Sequence, residues 1–305
     1  MAVLGLGLAA LGRPGYMTLH HHEDVASREP AAMEAQAHAV LDAAYSGGVR
    51  HVDAARSYGR AETFVNSWLA ARGHTDVVIS SKWGYRYTAN WDPAAQIHEV
   101  KDHSLAHLEA QWPESRALLG EALKIYQVHS VTLESGVLAD VAVLDRLATL
   151  RDSGIAMGLS VTGPRQSEII DAAIDLERGG RRLFDWVQAT WNVLEPSAGP
   201  ALTRAKQRGL HTIAKEGLAN GRLSLRGQLS EWLALAMREG AAPEVLALGI
   251  ALQQPFLDVV LSGAATVEQL RSNLGARALQ SAVDVSPFIL SPADYWAQRS
   301  RLTWT

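Results

Sequence analysis

The chain has 305 residues, 20% of them charged and 48% hydrophobic, with a formal net charge of −4. That length and apolar content suit one large α/β domain with a full core. The mild acidity excludes the basic footprint of a nucleic-acid binder, the lack of cysteine excludes disulfides, thiolate catalysis and cysteine-based zinc sites, and no run approaches the ~20 apolar residues of a membrane span. The opening MAVLGLGLAALGRPG lacks the positive start of a secretory signal. A cysteine-free chain fits a reducing cytoplasm, and a cytoplasmic location is the expectation.

Short β-like runs alternate with longer helical patterns almost to the end. Residues 4–8 read as the first strand. Gly12, Pro14 and Gly15 then open a long loop, and helix resumes over 31–45. Gly47 and Gly48 stop it. Strand follows at 50–54, helix at 61–71, strand at 77–83 and helix at 97–110. The fourth to seventh strands fall at 125–129, 155–161, 186–190 and 211–215. Helices at 140–151, 166–176 and 198–208 separate them. Helices at 230–238 and 243–253 precede an eighth strand at 259–261, and a last helix covers 266–279. Eight strands, each followed by helix, predict a parallel sheet closed into a (β/α)8 barrel spanning 1–305 as a single domain. Three connections are longer than turns: 12–30, 217–228 and the tail 282–305. The first two follow strands and so lie on the C-terminal face, where barrels carry their chemistry.

Gly5-Leu6-Gly7-Leu8-Ala9-Ala10 matches the dinucleotide fingerprint G-x-G-x-x-G/A. That motif requires a helix to open at its glycines, and the glycines and proline at 12–15 break one at once. A glycine-rich first barrel strand is the better reading.

Polar residues stand at successive strand ends. Asp53 closes the second apolar run, Lys82 the third and His129 the fourth, while Tyr58 follows Asp53 by five residues. Singly, each has an ordinary explanation as a cap, a solvated cation or a satisfied core residue. Jointly, at consecutive strand ends of one barrel face, they make a catalytic set. An ammonium at Lys82 favours tyrosinate and makes Tyr58 a better acid. Asp53 pairs with Lys82 and offsets its burial. His129 orients an incoming carbonyl oxygen. The set has no strong nucleophile and suits polarising a carbonyl while a cofactor delivers hydride.

The pattern Asp53-x-Ala55-x-x-Tyr58-Gly59-x-x-Glu62, then Lys82, then His129, resembles the aldo-keto reductase superfamily over nearly the whole chain. The resemblance implies a (β/α)8 fold, interconversion of carbonyls and alcohols with NADP(H) or NAD(H), and Tyr58 as general acid. It implies cofactor contacts by Asp53, by Ser160 and Gln188 on the carboxamide, and by Lys215, Glu216, Gly217, Leu218 and Gly221 in the loop after strand seven. Gly263, Ala264, Thr266, Gln269 and Asn273 would hold the adenosine phosphate at strand eight. Three departures stand out: Val161 replaces the usual asparagine, Lys215 takes the place of a stacking aromatic, and neither Ala265 nor Gln269 is basic. NADP(H) is named first on family frequency, with NAD(H) as the alternative.

Trp83 and Tyr85 after Lys82, and Trp191, are expected to line the carbonyl pocket; Tyr16, Tyr295, Trp296 and Trp304 are weaker candidates. The run His20-His21-His22-Glu23-Asp24 has metal-ligand types, but in a polar loop it reads as solvated, and His103 and His107 lack the glutamate of a zincin helix. No metal is expected. The expected partner is a small-molecule carbonyl or alcohol, with no nucleic acid, membrane or partner protein indicated. The leading function is an NAD(P)(H)-dependent oxidoreductase. The alternatives are an NAD-preferring aldose or polyol dehydrogenase, and a cofactor-sensing binding protein like the potassium-channel β-subunits of the same superfamily.

Overall fold

Eight parallel strands close on themselves in the computed structural model, which describes residues 1–15, 18–19 and 21–303. Tyr16, His20 and Trp304, weighed above, lie outside these residues. The barrel strands are β1 (Val3–Gly7), β2 (His51–Asp53), β3 (Val78–Trp83), β4 (Leu123–Val131), β5 (Ala156–Val161), β6 (Trp186–Thr190), β7 (His211–Lys215) and β8 (Val259–Ser262). Each pairs with its sequence neighbours, and β8 closes on β1. Helices α1 (Pro30–Ser46), α2 (Ala61–Arg72), α3 (Leu105–Leu119), α4 (Val141–Asp152), α5 (Gln166–Ile174), α6 (Gly199–Gln207), α7 (Ser230–Arg238), α8 (Pro243–Leu252) and α9 (Val267–Leu274) form the outer layer. Their starts follow local chemistry. Ser104, Asp140 and Thr266 accept from the backbone N–H three residues on, and Pro30 and Pro243 sit in first turns that need no N–H. One apolar cluster fills the space between barrel and helices, with Trp68, Trp83 and Trp232 among its largest buried side chains.

The (β/α)8 expectation therefore holds. No helix opens at Gly5–Ala10, where turns follow β1. Three local expectations are corrected. The stretch 97–110 is not one helix: Glu99–Lys101 pairs antiparallel with Tyr85–Tyr87 as a hairpin over the barrel mouth, and α3 starts only after Ser104 caps it. The helix after β5 stops at Ile174, and short strands Glu177–Arg178 and Arg181–Arg182 follow around Gly179 and Gly180. The tail contains an unexpected helix, α10 (Pro292–Ser300), capped by Ser291. Among the described residues no helix is long and apolar enough to cross a membrane.

Strand register sets the site. Asp53 lies beside Gly7 on β1 and Ser80 on β3. Lys82 lies beside Gln127 on β4, and Gln188 on β6 beside Ser160 on β5. The ends of β2, β3, β4 and β6 thus point into one lumen from several sides.

Candidate active site

Lys82 and Asp53 form a buried ion pair, their side chains 0% and 4% exposed. Lys82 Nζ also donates to the carbonyl of Ala54 at 2.9 Å. The second Asp53 oxygen accepts from Ser80, Gln188 and Gln127. Burial lowers the Lys82 pKa, while the Asp53 carboxylate opposes that shift. Lys82 Nζ sits 4.9 Å from the centre of the Tyr58 ring. The Tyr58 hydroxyl lies 3.4 Å from His129 Nε2, and the two rings meet edge to face at 5.5 Å. Burial, then the positive charges of Lys82, Lys215 and Arg13, hold the His129 pKa well below the usual imidazole range. His129 is neutral near pH 7, so its ring has one N–H to give and one nitrogen to accept.

The tyrosine is held by a tight turn. Gly59 has φ +58, and a Cβ there would meet the Gly12 carbonyl oxygen at 2.6 Å. Only glycine fits both the left-handed backbone and that approach. Glu62 is buried beneath the turn, accepting from Ser81 and Ser115 at 2.5 and 2.7 Å and pairing with Arg56. The sequence reading missed Arg13. It is fully buried, donates to the Ser57 carbonyl at 3.0 Å and to Glu99 at 2.8 Å, and places its guanidinium 5.4 Å from the Tyr58 ring centre. Nothing in its loop context marked it.

A cavity of about 410 Å³ runs from Asp53, Tyr58 and His129 across the C-terminal face to Gln269 and Asn273. Its wall includes Gln188, Lys215, Glu216, Gly217, Leu218, Gly221, Gly263 and Ala264. Ser160 and Thr266 are not on it. Ser160 Oγ accepts from the Ser130 N–H at 2.8 Å, and Ser130 and Thr162 reach the cavity instead. Thr266 caps α9. Tyr85 packs edge-on to His129 at 5.0 Å. Trp83 and Trp191 do not line the cavity. Trp83 is fully buried against His103, because Lys82 points into the barrel and its strand neighbour must point out. Trp191 packs on Phe256. Tyr295 is buried, and its hydroxyl accepts from Asn192 Nδ2 at 3.0 Å.

Lys215 and Glu216 extend the charge network. Lys215 Nζ donates to Thr190 Oγ1 at 2.9 Å and lies 3.8 Å from Glu216. Burial pushes its pKa down to about 8. Burial raises Glu216, but Lys215 and Arg299 outweigh it and bring the carboxyl to about 2. Arg299 of α10 grips Glu216 at 2.6 Å. At the far end, Asp24 meets Arg226 at 2.5 Å and accepts from Gln269 at 2.6 Å, tying the loop after β1 to the loop after β7 and to α9. Thr18 adds a hydrogen bond to the Asn220 carbonyl at 2.6 Å.

The wall fits an elongated dinucleotide. A Cβ on Gly263 would meet nothing within 4 Å, so backbone alone faces the cavity there. The loop after β7 bounds the same cavity with Gly217, Leu218, Asn220 and Gly221, and Asn220 and Gly221 take left-handed conformations there.

The profile of the aldo/keto reductase family matches residues 4–284, and the chain belongs to that family. It is an oxidoreductase of a family acting on small-molecule carbonyls. The uncharacterized oxidoreductase YqkF of Bacillus subtilis (strain 168) is 26% identical over 269 residues, covering 78% of this chain and 80% of that protein. Protein tas of Escherichia coli (strain K12) is 23% identical over 303 residues, covering 83% and 87%. The fold resembles the holo form of aldo-keto reductase AKR11C1 from Bacillus halodurans, with TM-score 0.68 and 16% identity over 97% of this chain and 91% of that one. PA4992 from Pseudomonas aeruginosa gives 0.65 and 22% over 91% of each. At these identities the structures establish the fold alone.

Proposed function

We propose that this chain reduces an aldehyde or ketone, or oxidises the matching alcohol, with Tyr58 as the proton donor and a nicotinamide dinucleotide as co-substrate. The observation that carries the reading is the placement of the Tyr58 hydroxyl against neutral His129, with the Lys82 ammonium beneath its ring, at one end of a dinucleotide-length cavity. When bound, the dinucleotide supplies or takes up hydride. His129, with its proton on Nε2, donates to the carbonyl oxygen and fixes its direction. Tyr58 gives its hydroxyl proton to that oxygen, which becomes the alcohol oxygen. Lys82 stabilises the tyrosinate left behind, and Asp53 keeps Lys82 in place.

Gln188, Lys215, the 217–221 backbone, Gly263, Ala264, Gln269 and Asn273 would hold the dinucleotide. NADP(H) stays first on family frequency, and Arg226 brings to the cavity wall a guanidinium that positions 265 and 269 lack. NAD(H), with an aldose or polyol substrate, is the second reading, favoured by Asp24 already engaging that guanidinium.

A panel of aldehydes, ketones and sugar alcohols with both cofactors tests this. Turnover by the unmodified chain is expected, with Tyr58→Phe lowering kcat by about 10²–10⁴-fold and leaving dinucleotide affinity, read by tryptophan fluorescence, unchanged. Full activity in Tyr58→Phe refutes the assigned role. Dinucleotide binding without turnover of any panel member replaces the reductase reading with that of a binding module.

A further inference from the structure

The lumen of a (β/α)8 barrel is ordinarily filled with branched apolar side chains. Here part of it is polar. His51, Asp53, Ser80, Gln127 and Gln188 are each no more than 6% exposed, and they converge on the Asp53 carboxylate. One oxygen takes Lys82. The other, Oδ1, accepts from Ser80 Oγ at 2.6 Å, Gln188 Nε2 at 3.1 Å and Gln127 Nε2 at 3.3 Å. Ser80 Oγ lies 3.2 Å from His51 Nε2, and His51 packs against Trp186 at the opposite end of the lumen from Tyr58. The reductase chemistry uses the Lys82 end of this chain and leaves His51 and Ser80 without a role.

Counting protons fixes the direction of the chain. A carboxylate only accepts, so the single hydroxyl proton of Ser80 goes to Asp53 across the 2.6 Å contact. Ser80 Oγ then accepts from His51, which requires the proton on His51 Nε2. Burial holds the His51 pKa down to about 4, so near neutral pH the ring is uncharged and has one N–H to give.

We propose that His51 and Ser80 are positioning residues that act through Asp53 to hold Lys82 beneath Tyr58 and set the acidity of its hydroxyl. The proposal rests on the reading of Tyr58 as proton donor. Each donor on Oδ1 draws negative potential away from the carboxylate. The carboxylate then cancels less of the Lys82 charge felt by the tyrosine ring. Tyr58 also faces His129 from β4 and Arg13 from the loop after β1, with Glu99 behind Arg13 and Lys215 and Glu216 across the cavity. None of these contacts Ser80, so a change at Ser80 reaches Tyr58 through Asp53.

The test reads tyrosine ionisation directly, as absorbance at 295 nm, taking each protein minus its own Tyr58→Phe counterpart. Ser80→Ala is expected to raise the Tyr58 midpoint by about half a pH unit. Ser80→Thr, which keeps the hydroxyl, is expected to restore it. His51→Leu is expected to shift it upward by less, and it carries the same test if Ser80→Ala does not fold. In turnover, the alkaline limb of kcat moves with the midpoint while KM for the carbonyl stays fixed. An unmoved midpoint in Ser80→Ala and His51→Leu, or a shift that Ser80→Thr fails to reverse, overturns the proposal. The absorbance measurement needs no turnover. A chain that turns over no carbonyl yet shows the shift rejects the reductase reading and keeps the coupling.

Discussion

Replacing Lys82 with methionine removes one half of an ion pair and leaves the other in place. Asp53 has a side chain only 4% exposed, at the inner end of the cavity. Breaking a buried pair on one side costs about 3–5 kcal/mol, because the surviving charge loses its compensation. Three hydrogen bonds to Asp53 Oδ1 persist in the variant and favour the lower end, about 3 kcal/mol. Urea denaturation followed by tryptophan fluorescence measures it, and nine tryptophans provide the signal. The double variant Asp53→Asn with Lys82→Met removes both charges and should recover most of the loss. A Lys82→Met protein within about 1 kcal/mol of the parent would refute the reasoning, because it would mean that Asp53 is not held as an uncompensated buried charge.

Lys215 gives a test in alkali. Its folded pKa of about 8 lies below the usual 10.5. Below pH 8 both folded and unfolded chains hold the proton, and the cost of burying the ammonium is fully present. Between pH 8 and 10.5 the unfolded chain binds more protons, so this residue's contribution to stability rises with pH. The stability of the parent relative to Lys215→Met should therefore increase across that window, measured as paired urea midpoints. Gly59→Ala should destabilise by at least about 1 kcal/mol through its positive φ and lower kcat more than dinucleotide affinity, since the clash with Gly12 displaces Tyr58; thermal melts and fluorescence titration check both. Asp24→Asn removes the acid beside Arg226 and should tighten NADPH relative to NADH, read as the ratio of the two Kd values.

The convergence of the candidate residues was readable in the sequence because the barrel turns order along the chain into position. Apolar runs ending in Asp53, Lys82 and His129 became neighbouring strand ends on a single face. The rest depended on geometry that local pattern does not carry. Trp83 follows Lys82 directly, but period-two alternation in a strand sends adjacent side chains to opposite faces. Ser160 Oγ accepts from the Ser130 N–H, a backbone contact that the residue pattern does not announce. The hairpin of Tyr85–Tyr87 with Glu99–Lys101 is too short to leave a periodic signal, and its strands are joined across a long intervening loop. Arg13 and Arg226 carried no signal in the sequence, because what places them is a partner far along the chain, Glu99 for one and Asp24 for the other.

The cage around Asp53 has a consequence for the order of assembly. Lys82, Ser80 and Gln127 come from β3 and β4, but Gln188 arrives from β6, 135 residues beyond Asp53. A half-barrel ending at β4 would bring the carboxylate and its cation together while leaving both open to water, where such a pair contributes little. Their strong coupling therefore belongs to the closed ring. The cage cannot be assembled piecemeal from the first strands, and non-local closure of the kind that slows folding is the event that completes it.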